Sequence, residues 1–234
     1  MRSFTPDSPV LTVSQVAAIT GLDRAGTRRM LRTLEALGYV RHEGPKFHLT
    51  PRVLDLASIY LSASPLSTIA QPVMGKLVSV IEESCSAAVL DDAEIVCVVS
   101  VPVPKIMTIN LAIGTRLPAY CTSMGRVLLG GLSKEELDRR LKESNPKKHT
   151  RHTVTSISKL KRIIRRDHDR GWSLVQQELE EGICSVSVPI LDHPRRIIAA
   201  MNVAGSLSRT TPKKMIATAL PRLQRAAQEI SSLL

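Results

Sequence analysis

Residues 12–40, TVSQVAAITGLDRAGTRRMLRTLEALGYV, decide the fold. Thr12 or Ser14 can cap a short helix that buries Val13, Val16 and Ala17, and Gly21 ends it. Asp23 is placed to cap a second helix over residues 24–37. Met30, Leu31, Leu34 and Leu37 recur there at helical spacing, while Arg24, Arg28, Arg29 and Arg32 fall in the opposite arc beside Ala25 and Ala36. Gly38 closes that helix, and residues 39–42 and 46–49 read as two short strands joined by Glu43, Gly44 and Pro45. Helix, tight turn, basic helix and hairpin is the order that lays a second helix in the DNA major groove, about 12 Å wide, with the hairpin tip near the adjacent phosphates. On that reading Arg24 and Arg28 meet base edges, with Ala25 and Thr27 on the same helix. Thr12, Ser14, Arg29, Arg32, Lys46 and His48 then fall mostly to phosphates.

Composition narrows the rest. The chain has 234 residues, 43% of them hydrophobic, enough for a sizeable core and two modest domains. No run approaches the ~18 apolar residues of a membrane span. Residues 1–10 hold one basic residue, two prolines and no apolar stretch of the kind a secretory signal needs, so the chain is expected in the cytoplasm. Cys85, Cys97, Cys121 and Cys184 form no C-x-x-C pair and are expected as buried, reduced thiols, with neither a disulfide framework nor a zinc site. No cofactor is signalled. The formal net charge of +11 suggests a polyanionic partner, but residues 139–170 alone hold 12 basic against 3 acidic residues. That stretch reads as an amphipathic helix with a solvated face, not as a second DNA contact. His149-x-x-His152 lies among Lys147, Lys148 and Arg151, whose charges repel a metal, and reads as a surface loop.

Beyond the hairpin, residues 51–62 read as a connecting helix that Ser64-Pro65 interrupts before a second helix over 66–83. Residues 86–90, 94–101 and 106–112 are β-branched runs that suggest an antiparallel meander. Short helices follow at 122–129 and 133–141, the latter with Ser133 and Glu136 in capping-box register. A longer helix over 155–169 carries Ile157, Leu160, Ile163 and Ile164 on one side. Strands are expected at 172–176, 183–191 and 197–204. Thr211-Pro212 then opens a last helix that aligns Ile216, Leu220, Leu223, Ala227, Ile230 and Leu234. The class is α+β.

Leu22-Asp23-Arg24-Ala25-Gly26-Thr27-Arg28-Arg29, together with Leu37-Gly38-Tyr39-Val40, resembles the DNA-binding domain of the IclR family of bacterial transcription regulators. Residues 114–119 (GTRLPA), 122–129 (TSMGRVLL) and 177–185 (QELEEGICS) are similar to that family's effector-binding domain, so the resemblance runs almost end to end. The look is nearest to the branch that controls catabolism of aromatic acids through the β-ketoadipate route, whose members respond to small aromatic or dicarboxylic acids. The resemblance implies a winged helix-turn-helix over 1–50, a linker helix over 51–64 and a GAF-like effector domain over 65–234. It also implies homodimers or tetramers on palindromic operator DNA. Family members usually carry a further helix ahead of the helix-turn-helix. Here about a dozen residues containing Pro6 and Pro9 stand in that place, too few for a packed helix, so that helix is expected to be missing, either through a late start or from the winged domain itself. Gln176 stands where an acidic residue is expected in many relatives, so the effector is expected to differ from theirs.

A carboxylate suits a helix start, because unpaired N–H groups and the positive end of the helix dipole meet there, and Thr122, Ser123, Met124 and Gly125 occupy such a start. By resemblance the site also uses Ile183, Ser185 and Ser187 on one strand and Asn202 on its neighbour. The period of two puts Ile183, Ser185 and Ser187 on one face. Arg116 and Arg126 can grip the acid bidentately, or can tie Glu178 and Glu180 in ion pairs; both readings stand at this point. Ser123, Cys184 and Ser185 have no histidine in a recognisable motif, and there is no G-x-S-x-G and no glycine-rich phosphate loop, so recognition is expected and catalysis is not. The competing reading is a small-molecule-binding or enzymatic domain whose N-terminal module serves only subunit assembly. An RNA-binding module is disfavoured, since aromatic residues make up 3% of the chain and leave few stacking platforms.

Overall fold

Thr12 starts α1 (Val13–Thr20) with a reciprocal cap: its hydroxyl accepts from the Gln15 amide, and the Gln15 side chain accepts from the Thr12 amide at 2.8 Å. Gly21, at φ 72°, ends the helix in the left-handed conformation. Asp23 caps α2 (Arg24–Ala36) by accepting from the Gly26 amide at 2.8 Å. The strands β2 (Val40–Glu43) and β3 (Lys46–Leu49) pair antiparallel, and β1 (Val10–Thr12) adds to the other edge of β3. The wing is therefore three-stranded, in the order β1-β3-β2, and β1 was not legible as a strand because three residues show no periodicity. Leu11, Val16, Leu31, Val40 and Phe47 form the core of this unit, with Phe4, Val13, Leu34 and Leu49 packed on it. The linker helix α3 (Val53–Ala63) follows, and no residue of it is buried.

The structure, a computed structural model, describes residues 1–104, 109–193 and 195–234. It divides into two units, Met1–Ser64 and Pro65–Leu234. Among the described residues no single helix is long and apolar enough to cross a membrane.

The second unit is built on a six-stranded antiparallel sheet in the order β6-β5-β4-β9-β8-β7. Its strands are β4 (Cys85–Asp91), β5 (Glu94–Val101), β6 (Arg116–Pro118), β7 (Ser173–Gln176), β8 (Ile183–Leu191) and β9 (Ile197–Ser206). The third strand of the meander is thus 116–118 and not 106–112: residues 109–112 form no strand, and 106–108 lie outside the described residues. Alternation along the strands separates two cores. One, with Cys184, Val186, Val188, Met201 and Val203, is covered by α4 (Pro65–Ile81) and by the C-terminal helix. That helix runs from a first turn α8 (Pro212–Lys214) through a π-helical turn at Met215–Ala219 into α9 (Leu220–Leu233). The other contains Ile95, Ala200, Leu129, Leu160 and Ile164 and is covered by α5 (Ser123–Gly130) and α7 (Ile157–Arg170), with α6 (Lys134–Glu143) beside them. Two helical layers thus sandwich one sheet, the α+β arrangement that the alternation of elements predicts.

Candidate functional site

A cavity of about 350 Å³ opens on the α5 side of this sheet, within the range of small-molecule sites. Thr122 caps α5 by accepting from the Gly125 amide at 3.2 Å, and its own hydroxyl donates to the Pro118 carbonyl at 3.1 Å. That leaves the amides of Ser123 and Met124, the first two of the helix, without an intrahelical acceptor, and both residues line the cavity. Gly125 does not line it. A β-carbon there would stand 2.1 Å from the Ala119 carbonyl oxygen, so this glycine lets α5 start tight against the preceding turn.

Below the helix start, the Ser123 and Ser185 hydroxyls are 2.7 Å apart, and the Asn202 side-chain amide donates to Ser185 Oγ at 2.9 Å. Asn202 Oδ1 in turn accepts from the Ser86 amide, its register partner on β4. Ile183 lines the cavity beside Ser185, on one face of β8 as period two requires, and adds an apolar contact to this floor. Ser187 shares that face but lies outside the cavity wall: it is buried, and its hydroxyl is spent on the Met201 carbonyl at 2.9 Å. Apolar walls come from Ile95, Leu111, Leu117, Met124, Val175 and Leu179. Cys121 also faces the cavity, but burial pushes its thiol up to about 12, which leaves it protonated and unsuited to nucleophilic work.

The two arginines resolve differently from an acid-gripping pair. Arg126 is buried and forms a 2.8 Å ion pair with Glu178, while its Nε donates to the Tyr120 carbonyl at 3.0 Å. Glu178 also accepts from the Val154 amide at 2.9 Å, so the pair pins the segment that follows β7 onto α5. Arg116 is held by Asp91 at 2.6 Å and Glu94 at 2.8 Å, and these carboxylates keep its guanidinium charge locked at the edge of the meander. Neither guanidinium lines the cavity. Sequence reasoning missed Ser86, Asn110 and the apolar wall apart from Met124; the alternation of β4 opposite Asn202 carried the signal for Ser86. His149 and His152 form no metal cluster among the described residues, and the His149 ring bonds the Tyr120 hydroxyl at 2.9 Å.

On the first unit, α2 presents Arg24, Ala25, Arg28, Arg29 and Arg32 to solvent, with Ser14 exposed on α1 and Lys46 exposed on the wing. Arg24, Arg28 and Arg29 have no ion pair among the described residues; Arg32 is held by Glu35 at 2.7 Å. Glu35 is also bonded by His42, and these two partners hold its carboxyl below the usual range. Half-buried His48 accepts from Arg41 Nε across the strands, so its ring is partly committed. Three expectations change. Thr27 is 1% exposed and packs inward, so it faces no DNA. Met30 and Leu37, expected inside, are exposed. At about 100° per residue Leu34, Thr27 and Leu31 span only about 60° of the helix, and Met30 and Leu37 fall on the flank of that arc. Part of the basic run of the second unit is paired with carboxylates of the same unit: Arg139 and Arg140 with Glu136, Arg140 with Asp92, Lys161 with Asp138, and Arg166 and Arg170 with Asp167.

Residues 1–44 match the IclR helix-turn-helix domain, and residues 58–232 match the bacterial transcriptional regulator IclR C-terminal domain. The chain belongs to the IclR family of bacterial transcriptional regulators. Among IclR relatives it is 36% identical over 231 residues to the Pca regulon regulatory protein of Pseudomonas putida, covering 98% of this chain and 79% of that one. A transcriptional regulator structure from Rhodococcus sp. RHA1 is 42% identical, with a TM-score of 0.83 over 100% of this chain and 94% of that one. The inducer-binding domain of PobR from Acinetobacter, a double mutant in complex with 3-hydroxybenzoic acid, is 28% identical. Its TM-score is 0.69, and it covers 73% of this chain and 100% of its own. The IclR assignment makes the protein a transcriptional regulator and not an enzyme.

Proposed function

We propose that this regulator controls a catabolic operon, reading operator DNA through α2 and the wing and answering to a small aromatic or dicarboxylic acid held in the cavity of the second unit. The observation that carries the reading is the cavity itself. The first two residues of α5, whose amides have no intrahelical acceptor, and the bonded hydroxyls of Ser123 and Ser185 line one mainly apolar chamber, which suits a carboxylate on a compact organic body. The inducer-binding domain of PobR in complex with 3-hydroxybenzoic acid supports an aromatic acid as the ligand. On the DNA side Arg24 and Arg28, unpaired at the start of α2, take base edges, with Ala25 beside them. Arg29, Arg32, Ser14, Lys46 and, more weakly, Thr12 and His48 take phosphates.

Self-association belongs to the same reading. Leu56, Ile59 and Tyr60 on α3 are exposed, Ile59 to 66%, and fall within about 100° of one another, an apolar face that a second copy would cover on a palindromic site.

A fluorescence-anisotropy titration on the DNA upstream of the protein's own gene against scrambled DNA, at fixed physiological salt and with a panel of acids, tests the whole. Preference for the upstream duplex that one acid shifts is the expected result. Arg28→Ala should cost about 1–3 kcal/mol of that binding and relax the preference at one base pair. Equal, purely salt-controlled binding to both duplexes, unmoved by any acid, would sink the reading.

A further inference from the structure

We infer that Asn202 is a positioning residue of the cavity: by donating to Ser185 it keeps one hydroxyl proton of the Ser123–Ser185 pair for an acceptor on the ligand. The inference rests on the reading of the cavity as the effector site and deepens it. Ser86, Ser123, Ser185 and Asn202 all line that cavity, and Ser123 and Asn202 are buried. A side-chain amide has a donor end and an acceptor end, and a neighbour of fixed polarity decides which way it faces. The Ser86 backbone amide is such a neighbour, since it can only donate. It takes Asn202 Oδ1 as its acceptor at 3.3 Å, which turns the Nδ2 group to Ser185 Oγ at 2.9 Å. Ser86 and Asn202 are register partners on β4 and β9, so the sheet itself sets this polarity.

Proton counting then fixes what the pair can offer. Ser123 and Ser185 hold one hydroxyl proton each, and their 2.7 Å contact uses one of the two, whichever hydroxyl donates. Asn202 cannot take the other, because it meets Ser185 as a donor. Among the described residues neither hydroxyl has a further acceptor, so the second proton is left for the cavity that both residues line. With the amide turned the other way, Oδ1 would accept that proton and the pair would be satisfied within the protein. Donation into Ser185 also strengthens the donor beyond it, as each link of a hydrogen-bond chain polarises the next. A ligand oxygen completes the chain, and a carboxylate oxygen does so best, because a charged acceptor makes the stronger bond.

The test titrates the full chain and its variants with 3-hydroxybenzoate and succinate, one aromatic and one dicarboxylic probe, by isothermal titration calorimetry. Thermal unfolding without ligand checks each fold, and its shift with ligand gives a second readout. Asn202→Ala should weaken the probe that binds by ~5-fold, the worth of about one hydrogen bond. Ser185→Ala should do the same, and the double variant should be no weaker than Ser185→Ala, because Asn202 acts through Ser185. Asn202→Asp keeps an acceptor for the Ser86 amide but takes up the second hydroxyl proton, so it should bind ~10-fold more weakly than Asn202→Ala. With Ser185→Ala in the same chain, that gap should close. Losses that add in the double variant, or a gap that stays open without Ser185, would mean that Asn202 acts on the ligand directly or by charge. Either would overturn the inference and leave the effector reading in place. Should Asn202→Ala fail to fold, Asn202→Asp against the unaltered chain, with and without Ser185→Ala, decides by the same rule. Silence from both probes in both readouts would overturn the inference together with the effector reading.

Discussion

Thr12 and Thr27 carry the same side chain to opposite ends. Thr12 spends its hydroxyl on the first turn of α1, so Thr12→Ala should lower the stability of the N-terminal unit by about 1 kcal/mol, read as an earlier denaturation midpoint. Thr27 is buried on α2, and its hydroxyl has no hydrogen-bond partner among the described residues. Thr27→Val keeps the shape and removes that unmet group. Stability should rise by up to about 1 kcal/mol, with operator affinity unchanged in the anisotropy titration. A loss of affinity would put Thr27 back at the DNA. The spacing of Met30, Leu31, Leu34 and Leu37 made the packing face legible in outline. It did not show that the buried arc of α2 is narrow and centred near Thr27 and Leu31, which leaves Met30 and Leu37 exposed.

At the scale of elements, α5 does two things within two turns. Its first turn lines the cavity with Ser123 and Met124, and the next carries Arg126 into the buried pair with Glu178. Arg126→Leu alone should cost about 3–5 kcal/mol in chemical denaturation, because it strands a buried carboxylate. The double variant Arg126→Leu with Glu178→Leu should recover most of that loss. A single variant within about 1 kcal/mol of the unaltered protein would mean that water reaches the pair. Arg126 and Glu178 stand 52 positions apart, so sequence alone left open whether Arg126 held the ligand or a glutamate. The helices and most strands were legible because caps and periodicity are local. The strand β1 and the short β6 were not, since a three-residue strand exists only through its neighbour.

For the whole molecule, the proposal joins two binding events in one chain, and linkage then fixes a relation that no single domain shows. Whatever factor an acid applies to operator affinity, the operator duplex must apply to the affinity for that acid. Calorimetric titration of the acid with and without the duplex should return the same factor that anisotropy gives for DNA. Unequal factors would mean that the acid acts through a further equilibrium, such as subunit association. The apolar, unburied α3 is where such an equilibrium would act.

The sequence by itself determined the basic second helix, the hairpin after it, the α+β order of the second unit and the donor-rich start of α5. Each depends on neighbours within a turn or a strand, where capping, periodicity and glycine geometry act directly. Only the tertiary structure decided which charged residues are free. Local pattern left open whether Arg116 and Arg126 grip a ligand or tie carboxylates; in the fold they are tied to Asp91, Glu94 and Glu178, while Glu180 lines the cavity. Charge pairing follows distance in space, and distance across a sheet is set by strand order and register, which no local pattern contains.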